Sequence, residues 1–225
     1  MFRILGLTLA ATAALSSASV AATVDRIRGT VTAVSPGSVN LHTMDGKDVA
    51  ITLRDNTRYA NIVKASLTDV APGGYIGTAT KEVGGKLIAL EVVVFPPAMK
   101  GVGEGHYGWD RIPDTTLSGG ASANSSMTNG TVSAVATAGT ANTTMTNGTV
   151  SASDAKGGAK QLTVTYQGGE QHILVPPTAP IVAPRPGTIA DLAKGKVVFI
   201  VANDEDGKYS ANSIAIGTEG VPPPM

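Results

Sequence analysis

Apolar and polar positions alternate along most of this chain, and the alternation has a period of two. Ile27, Gly29, Val31 and Ala33 interleave with Arg26, Arg28, Thr30 and Thr32, the pattern of a strand with one buried face. Pro36-Gly37 turns the chain, after which Val39 and Leu41 face inward and Asn40 and His42 outward. Asp45-Gly46 marks a hairpin, and Val49, Ile51 and Leu53 resume the inner face. The pattern weakens after Tyr59. Ser66 to Gly73 reads as a short helical turn, with Ser66 and Thr68 able to cap it and Pro72 and Gly73 stopping it. Tyr75–Val83 and Lys86–Phe95 form a last hairpin about Gly84-Gly85.

The same plan then recurs. Thr68-Asp69-Val70-Ala71-Pro72-Gly73 returns as Ala190-Asp191-Leu192-Ala193-Lys194-Gly195, a shift of 122 positions that also carries Gly85-Lys86 onto Gly207-Lys208 and Ile51 onto Ile173. A repeat of this length means two copies of one small unit. Leu162, Val164 and Tyr166 alternate with Gln161, Thr163 and Thr165, Gly168-Gly169 turns, and His172 to Val175 continues. Five prolines between Pro176 and Pro186 then place that stretch at a sheet edge or outside the sheet, because proline cannot donate to a ladder. Val197 to Ala202, apolar on both faces, reads as a strand covered on both sides. The order is three strands, a short helical turn and two strands. It predicts an all-β protein of two tandem five-stranded OB-like β-barrels, 23–97 and 143–218, joined by a Gly-rich connector.

The connector, 98–142, holds a second and smaller echo. Ser122 to Ala134 (SANSSMTNGTVSA) matches Thr140 to Ala152 (TANTTMTNGTVSA) at a shift of 18. Either can supply the first strand of the second barrel. The later copy is favoured because it lies nearer to Gln161–Gln167, which leaves the earlier one as an extra edge strand or a Ser/Thr/Gly loop. A Pro-rich tail, 219–225, ends the sequence.

Composition adds an address and removes several functions. Arg3, an apolar run from Ile4 to Leu15 and Val20-Ala21-Ala22 have the three parts of a cleavable signal peptide, 1–22. The run is too short to span a bilayer, which takes about 20 residues. The expected location is therefore the periplasm or the exterior, with no membrane span. The absence of Cys excludes disulfides, thiolate nucleophiles and Cys-ligated zinc. Basic and acidic residues balance at 17 each, so no electrostatic footprint for nucleic acid exists.

Candidate chemistry concentrates in the connector, in Gly103-Glu104-Gly105-His106-Tyr107-Gly108-Trp109-Asp110. Glu104, His106 and Asp110 are candidate ligands for a divalent metal. Tyr107 and Trp109 are candidates for stacking on a ligand or for plugging the seam between barrels. His42 and His172 read as outer-face strand residues, and Asp204-Glu205-Asp206 as a solvated hairpin. Asp69 and Asp191 recur at a helix start, where a carboxylate binds free N–H groups. No Ser-His-Asp order and no phosphate-binding glycine loop is present, so no catalytic residue is assigned.

The runs IRGTVTAVSPGSVNLHTMDGKDVAITLRDNTRY, SLTDVAPGGYIGTAT and GGKLIALEV resemble a domain of unknown function found in exported bacterial proteins. The arrangement GVGEGHYGWD, MTNGTV and LTVTYQGGEQHILVPP is similar to a proteobacterial family with two such domains, whose relatives often carry the label of a metal ABC transporter permease. The resemblance implies OB-like barrels and export, and brings no catalytic residues. A permease needs several membrane spans, which this sequence lacks. Three functional expectations follow. One is a non-catalytic exported binding or scaffold protein with a periplasmic protein or small ligand as partner and no cofactor. The second is a periplasmic metal-binding accessory protein linked to metal uptake. The third is a hydrolase with its site between the barrels.

Overall fold

A computed structural model describes residues 23–117, 121–138 and 158–224. The expected signal peptide and the later copy of the 18-residue echo lie outside the described residues. The chain is all-β, with 13 strands in one hydrogen-bonded sheet. The strands are β1 (Thr23–Ser35), β2 (Ser38–Thr43), β3 (Asp48–Thr52), β4 (Arg58–Lys64), β5 (Tyr75–Val83), β6 (Lys86–Phe95), β7 (Gly105–Pro113), β8 (Ser122–Thr137), β9 (Lys160–Tyr166), β10 (Gly169–Val175), β11 (Ile181–Pro186), β12 (Val197–Glu205) and β13 (Lys208–Gly217).

The strand pairings close on themselves twice. In the first cycle β1 pairs with β2, β2 with β3, β3 with β13, β13 with β12 and β12 with β1. In the second, β8 pairs with β9, β9 with β10, β10 with β6, β6 with β5 and β5 with β8. The first cycle thus takes three strands from the first sequence copy and a hairpin from the second; the second takes β8 from the connector, β9 and β10 from the second copy and a hairpin from the first. The expected tandem arrangement, with 23–97 and 143–218 each closing on itself, is not how the strands pair. Ile51 lies beside Tyr209 and Ile173 beside Leu87, whereas Leu87 and Tyr209 are themselves counterparts at the 122-residue shift.

Register shows that the exchange is reciprocal. Strands β4 and β11 run antiparallel with Ile62 opposite Pro184, and these two residues are counterparts. A pseudo-dyad therefore passes between them. Parallel flanks obey it too, with Ala60 opposite Ala215 and Val182 opposite Val93. The short turns after β4 and β11 complete the exchange. Gly73 and Gly74 bond to Val132 of β8, and Gly195 and Lys196 bond to Val31 of β1, all at 2.8 Å.

Each cycle wraps one core. Val31, Leu41 and Ile51 meet Leu192, Ile200 and Ile214 in the first. Ile76 and Val92 meet Val132, Leu162 and Ile173 in the second, with Val70 in the place Leu192 takes in the first. The recurring aspartates tie these plugs down. Asp69 Oδ2 accepts the Ser66 N–H at 2.8 Å, and Asp191 Oδ2 accepts the Thr188 N–H at 2.7 Å. Here the carboxylate is the third residue of a single 3-10 turn and reaches back to its entry.

Three sequence expectations need revising. First, the earlier echo copy is the first strand of its cycle: β8 pairs with both β5 and β9. Second, Pro176, Pro177 and Pro180 lie outside the strands, as expected, but the end of the stretch, with Pro184 and Pro186, stays in the sheet as β11. The bonds Ala65 N–H to Ile181 O (2.8 Å) and Gly187 N–H to Tyr59 O (3.2 Å) put Pro184 and Pro186 at the alternate, non-bonded positions of the antiparallel ladder. No ladder bond is lost there. Third, β12 buries Val198, Ile200 and Ala202, while outward Phe199 lies under the Arg28 guanidinium.

Candidate functional site

The connector cluster forms β7, a strand paired with β8 alone. Gly105 and Gly108 interrupt its side-chain pattern, and its register against β8 shifts between Gly108 and Arg111. Trp109 and Asp110 sit at this irregularity, which re-aims their side chains. Trp109 packs on Ala79, Leu90, Ile112 and Met127. Its ring meets that of Tyr107 in a T-shaped contact, with 6.0 Å between centres and 61° between planes, and the Arg26 guanidinium covers it at 4.1 Å.

Asp110 binds the same partner strand. Arg28 Nη2 donates to Asp110 Oδ2 at 2.8 Å, and Arg26 Nη1 stands 3.5 Å from Oδ1. Ser125 Oγ holds the Asp110 carbonyl at 2.7 Å. Arg28 is largely buried between Asp110 and the ring of Phe199, 4.7 Å from its centre. Two charged contacts and one cation–π contact thus join β1 of the first cycle to β7, while the second cation–π contact holds Arg28 against β12 within the first cycle. Each cation–π contact contributes about 0.5–2 kcal/mol, more as water is excluded.

The remaining candidates lead elsewhere. Glu104 Oε1 accepts the Gln167 N–H at 3.0 Å. His106 Nδ1 lies 2.8 Å from Thr128 Oγ1, and its ring stacks on Tyr166 with 6.4 Å between centres. Tyr107 OH donates to Gly103 O and accepts from Asn129 Nδ2, each at 3.2 Å. Burial, chiefly, raises the Tyr107 pKa, and Arg26 opposes it. Burial, with Glu104 and Tyr107 adding to it, pushes the neighbouring Tyr75 phenol up to about 12; its hydroxyl donates to Val102 O at 3.0 Å.

The structure therefore brings Tyr107, Trp109 and Asp110 together at one seam. It does not gather Glu104, His106 and Asp110, and no group of three His, Asp or Glu residues arranged to hold a metal occurs among the described residues. Sequence reasoning missed Arg26 and Arg28, read as plain outward strand positions. Two arginines on one face, two residues apart, were the available signal. Reasoning also missed Asp114, whose carboxylate binds Lys81 Nζ at 2.7 Å. His42 pairs with exposed Asp48, and His172 with Glu170 and Thr163, as outer-face residues do.

No protein-family model matches the chain, and neither the curated proteins nor the solved structures give a match.

Proposed function

We propose that this protein is a non-catalytic binding or scaffold module that works outside the cytosol, in the periplasm of a bacterium. In this reading each closed cycle of strands is an OB-like barrel assembled from both sequence copies. The observation that carries it is the engagement of the connector cluster. Trp109 and Asp110, the best candidates for chemistry, are bound to Arg26 and Arg28. They hold two cycles in one arrangement, as a scaffold requires. Export is supported by the leader pattern of residues 1–22.

Metal-linked function is the alternative, and it would have to release Asp110 from two guanidinium groups. Calorimetry with zinc, copper, nickel and manganese separates the two readings. Negligible heats from wild type and His106→Ala alike are expected. Heat that His106→Ala abolishes favours the metal reading. Turnover of ester, phosphoester, glycoside or peptide substrates that co-purifies with the protein overturns the non-catalytic reading and favours a hydrolase.

A further inference from the structure

The pseudo-dyad gives each position a counterpart, so divergence between counterparts stands out. Where β6 meets β11, Leu90, Glu91 and Pro180 line an apolar cavity of about 90 Å³, closed by Ile112 and Pro113 of β7 and by the tail from Val221 to Pro224. Their counterparts where β13 meets β4 are Asn212, Ser213 and Arg58. With Asn56 and Val201 these line an open cleft of about 380 Å³. One position in the fold has become apolar and covered in one copy, and polar and uncovered in the other.

We propose that this second cleft binds a small oxyanion, a molecule presenting a carboxylate or phosphate group, with Arg58 as its main contact. Four of the five lining residues are polar, and none is acidic. Arg58 is exposed, and among the described residues its guanidinium has no ion pair. A guanidinium offers a planar fork of N–H donors that matches two oxygens of a carboxylate or phosphate. Asn56 and Ser213, which line the same cleft, are further neutral donors. The backbone beneath is fixed in advance. Buried Thr57 accepts the Arg54 N–H at 2.9 Å and donates to Ala211 O at 3.0 Å, which pins the Asn56–Arg58 segment against β13. Asn212 Nδ2 is oriented by Asn203 Oδ1 at 2.7 Å. Such pre-ordering lowers the entropy cost of binding.

The proposal goes beyond the scaffold reading, and neither depends on the other. It is tested by ¹H–¹⁵N NMR of the exported chain, titrated at constant ionic strength with inorganic phosphate and, separately, with citrate. Saturable shifts confined to Asn56, Arg58, Val201, Asn212 and Ser213 are expected from at least one probe, and the responding probe identifies the group. Arg58→Gln, an exposed and sterically mild change, should weaken that response about tenfold or more, as loss of a charge-assisted pair implies. Arg58→Lys should fall between. Absence of saturable shifts with both probes, or an Arg58→Gln titration matching wild type, overturns the proposal.

Discussion

Removing the Asp114 carboxylate should destabilise the whole chain. Asp114 follows β7, and its side chain is 5% exposed; its partner Lys81, on β5, is 14% exposed. Lys81 Nζ donates to Asp114 Oδ2 at 2.7 Å and to Thr116 Oγ1 at 2.6 Å. Asp114 Oδ1 accepts the Thr116 N–H at 3.0 Å and its hydroxyl at 2.6 Å. Breaking a buried pair from one side costs about 3–5 kcal/mol, because the remaining charge stays desolvated. Lys81 keeps Thr116 and some water, so the expected loss for Asp114→Asn is about 2–4 kcal/mol. For a chain of this size that corresponds to roughly 6–12 °C in Tm. Replacing both partners, as Lys81→Met with Asp114→Leu, should cost less than Asp114→Asn alone, since no charge is then left buried.

The same pair sets a pH dependence. Burial raises the Asp114 pKa, but hydrogen bonds from Lys81 and Thr116 outweigh it and bring the pKa below the ordinary 3.8. A carboxylate depressed in the folded state stabilises fully above its unfolded pKa and loses that contribution as pH falls through the folded value. Urea denaturation of wild type and Asp114→Asn should therefore give a constant gap from pH 7 to about pH 5, narrowing below about pH 4. A gap under about 0.5 kcal/mol at pH 7 would place the pair among weak surface bridges and refute the reasoning. A gap still undiminished near pH 2 would refute the pH argument.

Trp109 is the only tryptophan, so its fluorescence reports on the seam: Arg26→Ala should uncover the ring and red-shift emission with the far-UV spectrum unchanged, and an unmoved emission maximum counts against the stacking. Gly29→Ala and Gly130→Ala should each cost about 2 kcal/mol or more by urea denaturation, since an added Cβ would run into the His42 and Thr165 carbonyls respectively; a cost under about 0.5 kcal/mol at either site would deny the close approach. If the hairpins are exchanged, residues 23–103 and 104–224 made separately should associate when mixed, because each half carries a hairpin that the other's cycle needs. Light scattering that finds two stable folded monomers would reject the exchange.

Much of the strand plan was legible, because a strand with one buried face writes itself as alternation. Leu41 and Ile51, or Leu162 and Ile173, announce their strands directly. Turn chemistry was equally open. Gly84 and Gly85 both have positive φ, and Asp206-Gly207 repeats that geometry at the counterpart turn, as a two-residue hairpin demands. The pattern fails at β4, β7 and β11. Strand β4 has neighbours on both edges and graded burial, so no clean alternation appears. Strand β7 is interrupted by glycines and an irregular register. Strand β11 carries prolines that only its bonding alternation makes harmless.

The exchange itself left no trace, and duplication is the reason. When two copies offer equivalent hairpins, pairing within a copy and pairing across copies satisfy the same apolar pattern. Ile51 finds an apolar or aromatic neighbour in either Leu87 or Tyr209. Alternation therefore specifies each ladder without specifying whose hairpin completes it. What the sequence does carry is divergence between the copies, and the structure gives that divergence a place. Arg26, Arg28, Trp109 and Asp110 join the cycles on one side. Pro222 to Pro224 help to cover the apolar cavity beside Leu90, and Arg58 stands in the open counterpart of that cavity. Symmetric positions built the frame, and it is the positions that broke symmetry that distinguish a closed seam from an open cleft.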